Sequence, residues 1–492
     1  MEPRRGLRPA QRLHGKELEG EGAGPGRGLL AAGGALLLGV FQRREPGSVL
    51  MEINTDILIL GGGLAAYAAA VELRDSGREV TVVAKAPGAS ALNSGAWDIA
   101  DSPIRGPRDE WAEWPSWREG LKEILRRQEG HPYSVLARGS GDGKFADFVA
   151  AKVRAAAEVL PLEMTEGDPL ALVTDFGTVK PSAWVQASMR DADLRRWQRA
   201  KVLVLGIPGF PNFNARFLRH SLLEQQERQA KSHLDFAGSL DLEIPDLQGR
   251  VSLKPVELAQ RLDREETFVA AGQAIVRYLE GKVYTHLLLP PVMGIENTRA
   301  ILEALRRITG LAAAETLSGP MSVPGWRLQQ AIEKFFHHRD IERLEGEAVG
   351  FDAEGRRIKS LYVHQGDQRH KVRAKAVILA TGKYVGGGVA RRGRWKEPVF
   401  NLPLFLQGKA LRAQTLPQVS RPGVAERQPF LGAGAAINPM AQPLDADHEV
   451  VYDNLFAAGA VLADFNPAQE RCAAGVSIVS GAVAARQAAA VL

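Results

Sequence analysis

Gly61-x-Gly63-x-x-Ala66, within ILILGGGLAAYAAAVELRDSGREVTVVAKA (57–86), has the spacing of a phosphate-binding turn. The first glycine permits a tight turn, the second lets backbone approach a pyrophosphate, and the small third residue lets helix and strand pack closely. The phosphate then rests on the helix N-terminus, where free N–H groups and the helix dipole favour negative charge. Alone the pattern is weak and also describes a structural glycine turn. A strand before it and a helix after it give it meaning. The second strand ends in Ala84-Lys85, where such a unit ordinarily carries an acid that grips an adenosine ribose. Either the bound group lacks an adenosine, with Lys85 placed to meet a phosphate, or other groups serve the ribose.

Three later stretches extend the site. ILATG (378–382) places Thr381 and Gly382 at a strand end, NLFAAG (454–459) places Gly459 at another, and Gly475-Val476-Ser477 opens a helix. In that order they resemble the late elements of two-dinucleotide-domain flavoproteins, whose last helix aims its N-terminus at the pyrimidine carbonyl of the isoalloxazine. ALNSGAWDIA (91–100) falls where such proteins wrap the flavin, offering Asn93, Ser94 and Asp98 beside the small Gly95. A plain polar loop is the blander reading of that stretch. It contains no histidine, so the covalent histidyl–flavin link of the fumarate reductase group has no candidate, and a flavin here is expected to be non-covalent.

These residues need a scaffold. Ile53 to Leu60 is a continuous apolar run, as in a parallel strand buried on both faces. The helix after the glycines runs through Arg74 with five alanines on its packing faces, and Glu79 to Ala84 is the next strand, a βαβ opening. From Trp111 to about Gly130 the pattern is helical and charged. Residues 131–340 mix helices with short strands such as KVLVLGIPGF (201–210) and read as an inserted second domain. From Glu345 an antiparallel meander, with turns at Asp352–Gly355 and Gly366-Asp367, feeds back into the parallel sheet at Ala376 to Ala380. The expected fold is therefore α/β, a flavoprotein of the two-dinucleotide-domain type. It has a parallel Rossmann-like sheet built from 51–130 and 341–492, an antiparallel meander, and the inserted domain between.

Residues 1–50 are rich in Gly, Arg and Pro without sustained periodicity. Gly28 to Phe41 is apolar but shorter than the about 20 residues that span a bilayer, and no small-residue cleavage site follows it. A disordered leader, or a start misassigned from Met51, is the expectation. Composition, at 45% hydrophobic and 24% charged, is that of an ordinary soluble protein, and +5 net charge over 492 residues does not argue for nucleic acid. Cys472 is the only cysteine, which excludes an internal disulfide and a cysteine-ligated iron–sulfur cluster within the chain. No metal is expected, and a redox role needs partners to carry electrons onward.

Taken together, GGGLA (61–65), NSGAWD (93–98), HPYS (131–134), GIPGF (206–210), LPPVMG (289–294), ATGKYVGGGV (380–389), KEPVFNLP (396–403) and AAGAVLADFNP (457–467) resemble the B-subunit family of anaerobic glycerol-3-phosphate dehydrogenase. The resemblance covers 51–492 and nothing before it. It implies oxidation of sn-glycerol 3-phosphate to dihydroxyacetone phosphate, with electrons passed to the quinone pool in anaerobic respiration. It further implies FMN in this chain, an FAD-containing A subunit, and an iron–sulfur C subunit that brings the complex to the inner face of the cell membrane. FMN agrees with the missing acid at Ala84, with FAD as the alternative.

Oxidising an alcohol on a flavin needs a base for the hydroxyl proton, and a substrate phosphate calls for Arg or Lys. The candidates are His131 or His286 for the base, and Arg327, Arg391, Arg392 or Lys396 for the phosphate. Each has a structural alternative: a core histidine, a solvated loop, or a contact with a partner protein. Two further readings of the chain stand beside this one, a non-catalytic assembly or electron-relay component, and a stand-alone FAD oxidoreductase of the fumarate reductase type.

Overall fold

The computed structural model describes residues 50–101, 115–138, 142–197, 199–228, 234–244, 247–423 and 426–492. The leader expected at 1–49 and the start of the charged segment near Trp111 lie outside them. The described residues belong to one compact unit. Its principal strands are β1 (Leu50–Leu60), β2 (Val80–Ala84), β3 (Lys201–Gly206), β4 (Asp235–Asp241), β5 (His286–Leu289), β6 (Ala312–Glu315), β7 (Glu342–Glu345), β8 (Glu347–Glu354), β9 (Arg357–Gln365), β10 (Gln368–Leu379) and β11 (Leu455–Ala457). The helices that position the site are α1 (Leu64–Leu73), α2 (Pro132–Ala137), α3 (Thr298–Thr309), α4 (Val323–His338) and α5 (Ala473–Ala490).

The main sheet runs β7-β2-β1-β10-β9-β8, with β11 also paired to β10. Ile57–Leu60 pair in parallel with Val80–Val83 on one side and Ala376–Leu379 on the other, and Val377–Leu379 pair in parallel with Leu455–Ala457. Those central strands read as unbroken apolar runs because both faces are covered; Ile57, Leu58 and Ile59 have no exposed surface. β8, β9 and β10 form the antiparallel meander, and β10 joins it to the parallel strands by pairing along its length with β1.

The alanines of α1 and α5 have a shared cause. At Gly481 of α5 a Cβ would stand 2.4 Å from the Ala65 carbonyl oxygen and 3.1 Å from the Ala68 Cβ, so the two helices cross with their backbones nearly touching. Only glycine and alanine leave room for that approach.

A second parallel sheet, β4-β3-β5-β6, has its own apolar core reaching from Ala96 and Leu170 to Val323. This core is smaller than the segment 131–340. Tyr133, Phe145 and Val149 on one side, and Leu328 to Phe336 of α4 on the other, pack into the first core instead. No helix among the described residues is long and apolar enough to cross a membrane.

Candidate functional site

The glycine turn closes against the neighbouring strand end. Gly61 has φ +126°, and a Cβ there would stand 2.2 Å from the Ala380 carbonyl oxygen, so the position admits glycine alone. Beyond it α1 begins with its amides largely unspent. The N–H groups of Gly62, Gly63, Ala65 and Ala66 meet no protein acceptor among the described residues, and that of Leu64 donates to Ser90 Oγ at 2.9 Å. Ser90 sits on the loop after β2, where Gly88 presses so close that a Cβ would lie 3.3 Å from Gly63 Cα.

Across the turn, Thr381 Oγ1 is buried without a partner, and Gly382 follows at φ +73°. Gln329 of α4 donates to the Gly62 carbonyl at 3.0 Å, while its own Oε1 is buried and unpartnered. Gly459, at φ +78°, lies against the Ala65 Cβ, with Ser477 Oγ next nearest, and gives its amide to Ser480 Oγ at 2.8 Å. Unfilled amides and the hydroxyls of Ser90 and Thr381 thus converge on one turn, and those donors fit the phosphate of a nucleotide cofactor. The orphaned Gln329 oxygen is an acceptor, suited to an N–H or hydroxyl.

The strand end at Ala84 meets acidic residues of a neighbouring strand. Ala84 faces the turn, its Cβ 3.0 Å from where a Gly62 Cβ would be, so a longer side chain there would enter the turn itself. β7 pairs in parallel with β2, Glu345 beside Ala84, and the Gly346 amide donates to the Ala84 carbonyl at 3.1 Å. Glu347 then reaches Lys85, whose Nζ lies 2.7 Å from Glu347 Oε2. Two glutamates therefore arrive beside the strand end from more than 250 residues away, and Lys85 is held by the Glu347 carboxylate.

The stretch 93–98 is stitched into the fold. Asn93 Oδ1 accepts the Gly95 amide at 2.9 Å and its Nδ2 donates to the Ala96 carbonyl at 2.8 Å. The Ser94 carbonyl accepts the Ser318 amide at 3.0 Å, and Asp98 is paired with Lys180 at 2.8 Å. At the start of α5, Gly475 donates to the Asp98 carbonyl at 3.1 Å and packs so tightly under Tyr133 that a Cβ would stand 2.0 Å from its hydroxyl. Val476 is buried behind it.

His131 lies in this same corner, fully buried. It caps α2, its Nδ1 accepting the Tyr133 amide at 3.1 Å. The proton of the neutral ring is therefore on Nε2, which faces Cys472 Sγ and Glu470 Oε2, each at 3.6 Å. These three groups have metal-ligand chemistry, but a ligating imidazole needs a free lone pair where this ring carries its proton. Burial drives the His131 pKa down to about 3, and pushes the Cys472 thiol up. Next to them, buried Lys383 donates to the Ala433 and Leu462 carbonyls at 2.7 and 3.0 Å, and burial lowers its pKa to about 7.

A pH test follows from His131. Its folded pKa of about 3 lies below the unfolded value near 6.5, so between those values the unfolded chain binds the extra proton and stability falls as pH drops. His131→Asn keeps an oxygen acceptor for the cap and removes the titration. From pH 6.5 to 5 the wild type is expected to lose about 2 kcal/mol relative to the variant, at ~1.4 kcal/mol per pH unit. Thermal melts of both proteins across that range measure it. Titrations common to both, such as Glu397, which burial raises to about 7, drop out of the difference.

The remaining candidates are dispersed. His286 opens β5 in the second sheet, half-buried on Trp197 with ring centroids 4.8 Å apart and Nδ1 2.8 Å from Thr285 Oγ1. Burial lowers its pKa. It stands at the N-terminal end of a parallel strand, whereas ligands in such sheets bind at the C-terminal ends. Arg327 is buried and spent on Glu315, with nitrogen–oxygen distances of 2.7 and 3.0 Å, and on the Gly294 carbonyl at 2.8 Å. Arg391 is exposed on a short hairpin opposite Trp395, and Lys396 bonds Asn401 Oδ1 at 2.7 Å; the Arg392 side chain lies outside the described residues. Ser90 and Gln329 are the cradle residues that motif reading misses. Ser90 had a weak signal, a small polar residue just after Gly88 on the β2 loop; Gln329 had none.

A parallel sheet whose first glycine turn offers unfilled amides, closed by a late strand and a terminal helix, defines a nucleotide-cofactor-binding α/β protein. The chain belongs to the FAD binding domain family, whose pattern matches residues 56–476, and the bound group is accordingly a flavin. Among curated proteins it is similar to one named as the B subunit of anaerobic glycerol-3-phosphate dehydrogenase from Actinobacillus pleuropneumoniae, 26% identical over 88% of this chain and 99% of that protein. A protein of the same name from Vibrio cholerae is 24% identical over 88% and 96%. The resemblance drawn from the sequence motifs is borne out. Solved structures include an open-conformation flavocytochrome c3 fumarate reductase, at 12% identity and TM-score 0.40 over 89% of this chain and 78% of that one. A 3-ketosteroid-Δ4-(5α)-dehydrogenase from Rhodococcus jostii matches at 11% identity and TM-score 0.35 over 89% and 97%.

Proposed function

We propose that this chain is the flavin-bearing B subunit of a quinone-linked glycerol-3-phosphate dehydrogenase. In that complex sn-glycerol 3-phosphate is oxidised to dihydroxyacetone phosphate and electrons pass to the quinone pool through partner proteins. The observation that carries this reading is similarity to proteins of that name along 88% of the chain, with the cradle at Gly61–Ala66 inside the matched span. The partners are an FAD-containing A subunit and an iron–sulfur C subunit that meets the inner face of the cell membrane. With one buried cysteine the chain has no cluster of its own to carry electrons, which agrees with that division of labour.

A bound flavin supplies hydride acceptance. The chain's own residues do the holding: Gly61 sets the turn, the amides of Gly62, Gly63, Ala65 and Ala66 receive phosphate oxygens, and the Ser90 hydroxyl and Thr381 Oγ1 add polar contacts. We take the flavin to be FAD, against the FMN that Ala84 suggested. The matched family is one of FAD binding, and Glu345 and Glu347 restore carboxylates at the end of β2. Replacing both by glutamine is expected to weaken FAD binding about tenfold, roughly the loss of one charge-assisted bond, and to leave FMN binding unchanged. Flavin fluorescence titrations of the apoprotein measure both. Equal loss for the two flavins would count against this ribose contact.

The electron-relay reading is favoured by a different observation. His131 and Arg327 are spent on Tyr133 and Glu315, and His286 lies in the second sheet. Single-turnover flavin bleaching by sn-glycerol 3-phosphate separates the readings. Bleaching of the isolated chain supports catalysis here, and bleaching only when the FAD-containing partner is present supports relay.

A further inference from the structure

The peptide that leads into α1 joins two glycines, Gly62 and Gly63. A trans peptide is planar, and its C=O and N–H point in opposite directions. Rotating the unit by half a turn exchanges them, and with no Cβ on either flanking residue no side chain opposes the exchange. In one orientation the Gly63 N–H joins the unfilled amides of the cradle. In the other the Gly62 carbonyl oxygen takes its place and turns a lone pair toward the phosphate.

The first orientation is held from outside the turn. The Gly62 carbonyl is buried and accepts from Gln329 Nε2 at 3.0 Å, and no second donor reaches it among the described residues. The Gly63 N–H, on the other side of the same peptide, meets no acceptor among them. Gln329 is itself fixed. It is only 2% exposed, and its Nε2 also donates to Glu333 Oε1 at 2.8 Å, one turn further along α4. Glu333 in turn pairs with Arg343 of β7 at 2.6 Å. Exchanging the nitrogen and oxygen of Gln329 would set its oxygen against two acceptors, so the donor faces Gly62. α4 is pinned along its length. Ser322 gives its hydroxyl to the Asn93 carbonyl at 2.5 Å, a Cβ on Gly325 would stand 2.4 Å from the Ala91 carbonyl oxygen, and Phe335 meets Tyr67 of α1 edge-on with ring centroids 4.9 Å apart.

We infer that Gln329 is a positioning residue for the flavin, holding the Gly62–Gly63 peptide with its N–H, and not its carbonyl, toward the cofactor phosphate, a role that rests on the flavin reading above. A side chain 267 residues along the chain thereby sets the polarity of the phosphate cradle.

The test is fluorescence titration of the full-length apoprotein with FAD, for the wild type, Gln329→Met, Gln329→Leu and Gln329→Glu. The phosphorus NMR spectrum of bound FAD and the melting temperature of each apoprotein are recorded alongside. Methionine and leucine remove the donor with different shapes, so one folded variant suffices. Glutamate keeps the shape but offers an acceptor, which repels the Gly62 carbonyl and attracts the Gly63 N–H. FAD is expected to bind about tenfold more weakly to Gln329→Met and Gln329→Leu, and about a hundredfold more weakly to Gln329→Glu. The pyrophosphate resonances of FAD bound to Gln329→Met are expected to move from their wild-type positions. A role confined to packing would lower the melting temperature while FAD affinity and the bound resonances stay at wild-type values, and that result overturns the inference. Gln329→Glu binding FAD as tightly as Gln329→Met overturns the peptide orientation, even where both are weaker than the wild type. Wild-type apoprotein that takes up no FAD overturns the flavin reading itself, whereas wild-type binding matched by Gln329→Met overturns this role alone.

Discussion

Gly61→Ala is expected to empty the protein of flavin and to lower its stability by several kcal/mol. Two costs combine. Alanine at φ +126° occupies backbone space open essentially to glycine, a strain of about 1–3 kcal/mol. Its Cβ would also stand 2.2 Å from the Ala380 carbonyl oxygen, which lies at the end of a central strand and cannot yield cheaply; overpacking of that kind costs about 1–3 kcal/mol more. Any relief moves the turn, and with it the amides of Gly62 and Gly63. Gly77→Ala is the matched control. Gly77 also has positive φ, at +65°, yet a Cβ there meets nothing within 4 Å. It is expected to cost about 1 kcal/mol and to leave flavin binding intact. Visible absorption and urea unfolding of both variants read the contrast.

Breaking the Arg327–Glu315 pair is the second large effect. Glu315 has no exposed surface, Arg327 only 3%, and the carboxylate also accepts the Met293 amide at 2.7 Å. Arg327→Met would leave that carboxylate buried with no cation, and removing one partner of such a pair costs about 3–5 kcal/mol. Replacing both residues, as Arg327→Met with Glu315→Leu, removes the stranded charge and is expected to recover most of the loss. The Arg327 role considered from sequence, a phosphate contact, gives the opposite pattern. Stability would then hold, KM for sn-glycerol 3-phosphate would rise, and the double variant would rescue nothing. Urea unfolding alongside KM measurements separates the two.

Both residues bear on what the sequence could show. The βαβ opening, the meander, β11 and α5 are legible because their signals are local: an apolar run, glycines at fixed spacing, turn residues at 352–355 and 366–367. Gly61 belongs to that class by its spacing, although the Ala380 carbonyl that also excludes a Cβ comes from a distant strand end. Arg327 does not. Its partner Glu315 is brought to it by the return of α4 across β6, and no local pattern marks either residue as half of a pair.

The same holds at Ala84. Its neighbours in sequence contain no acid, but β7 lies beside β2 in the sheet, and Glu345 and Glu347 come with it. His131 reads as a free base until it caps α2 and the Tyr133 amide takes its lone pair. Motif spacing thus locates the cradle, while the state of each polar side chain depends on contacts that only folding makes, near in sequence at His131 and distant at Lys85.

The turn at Gly61–Ala66 is where this chain is expected to hold its flavin. The direct measurement is to purify the full-length chain, denature it, and identify and quantify the released cofactor by absorption and mass. FAD is expected at about one per chain in the wild type and in Gly77→Ala, and none in Gly61→Ala. Wild-type protein, assembled with its partners, that releases no flavin from this chain, or a Gly61→Ala variant that keeps its full complement, would contradict it.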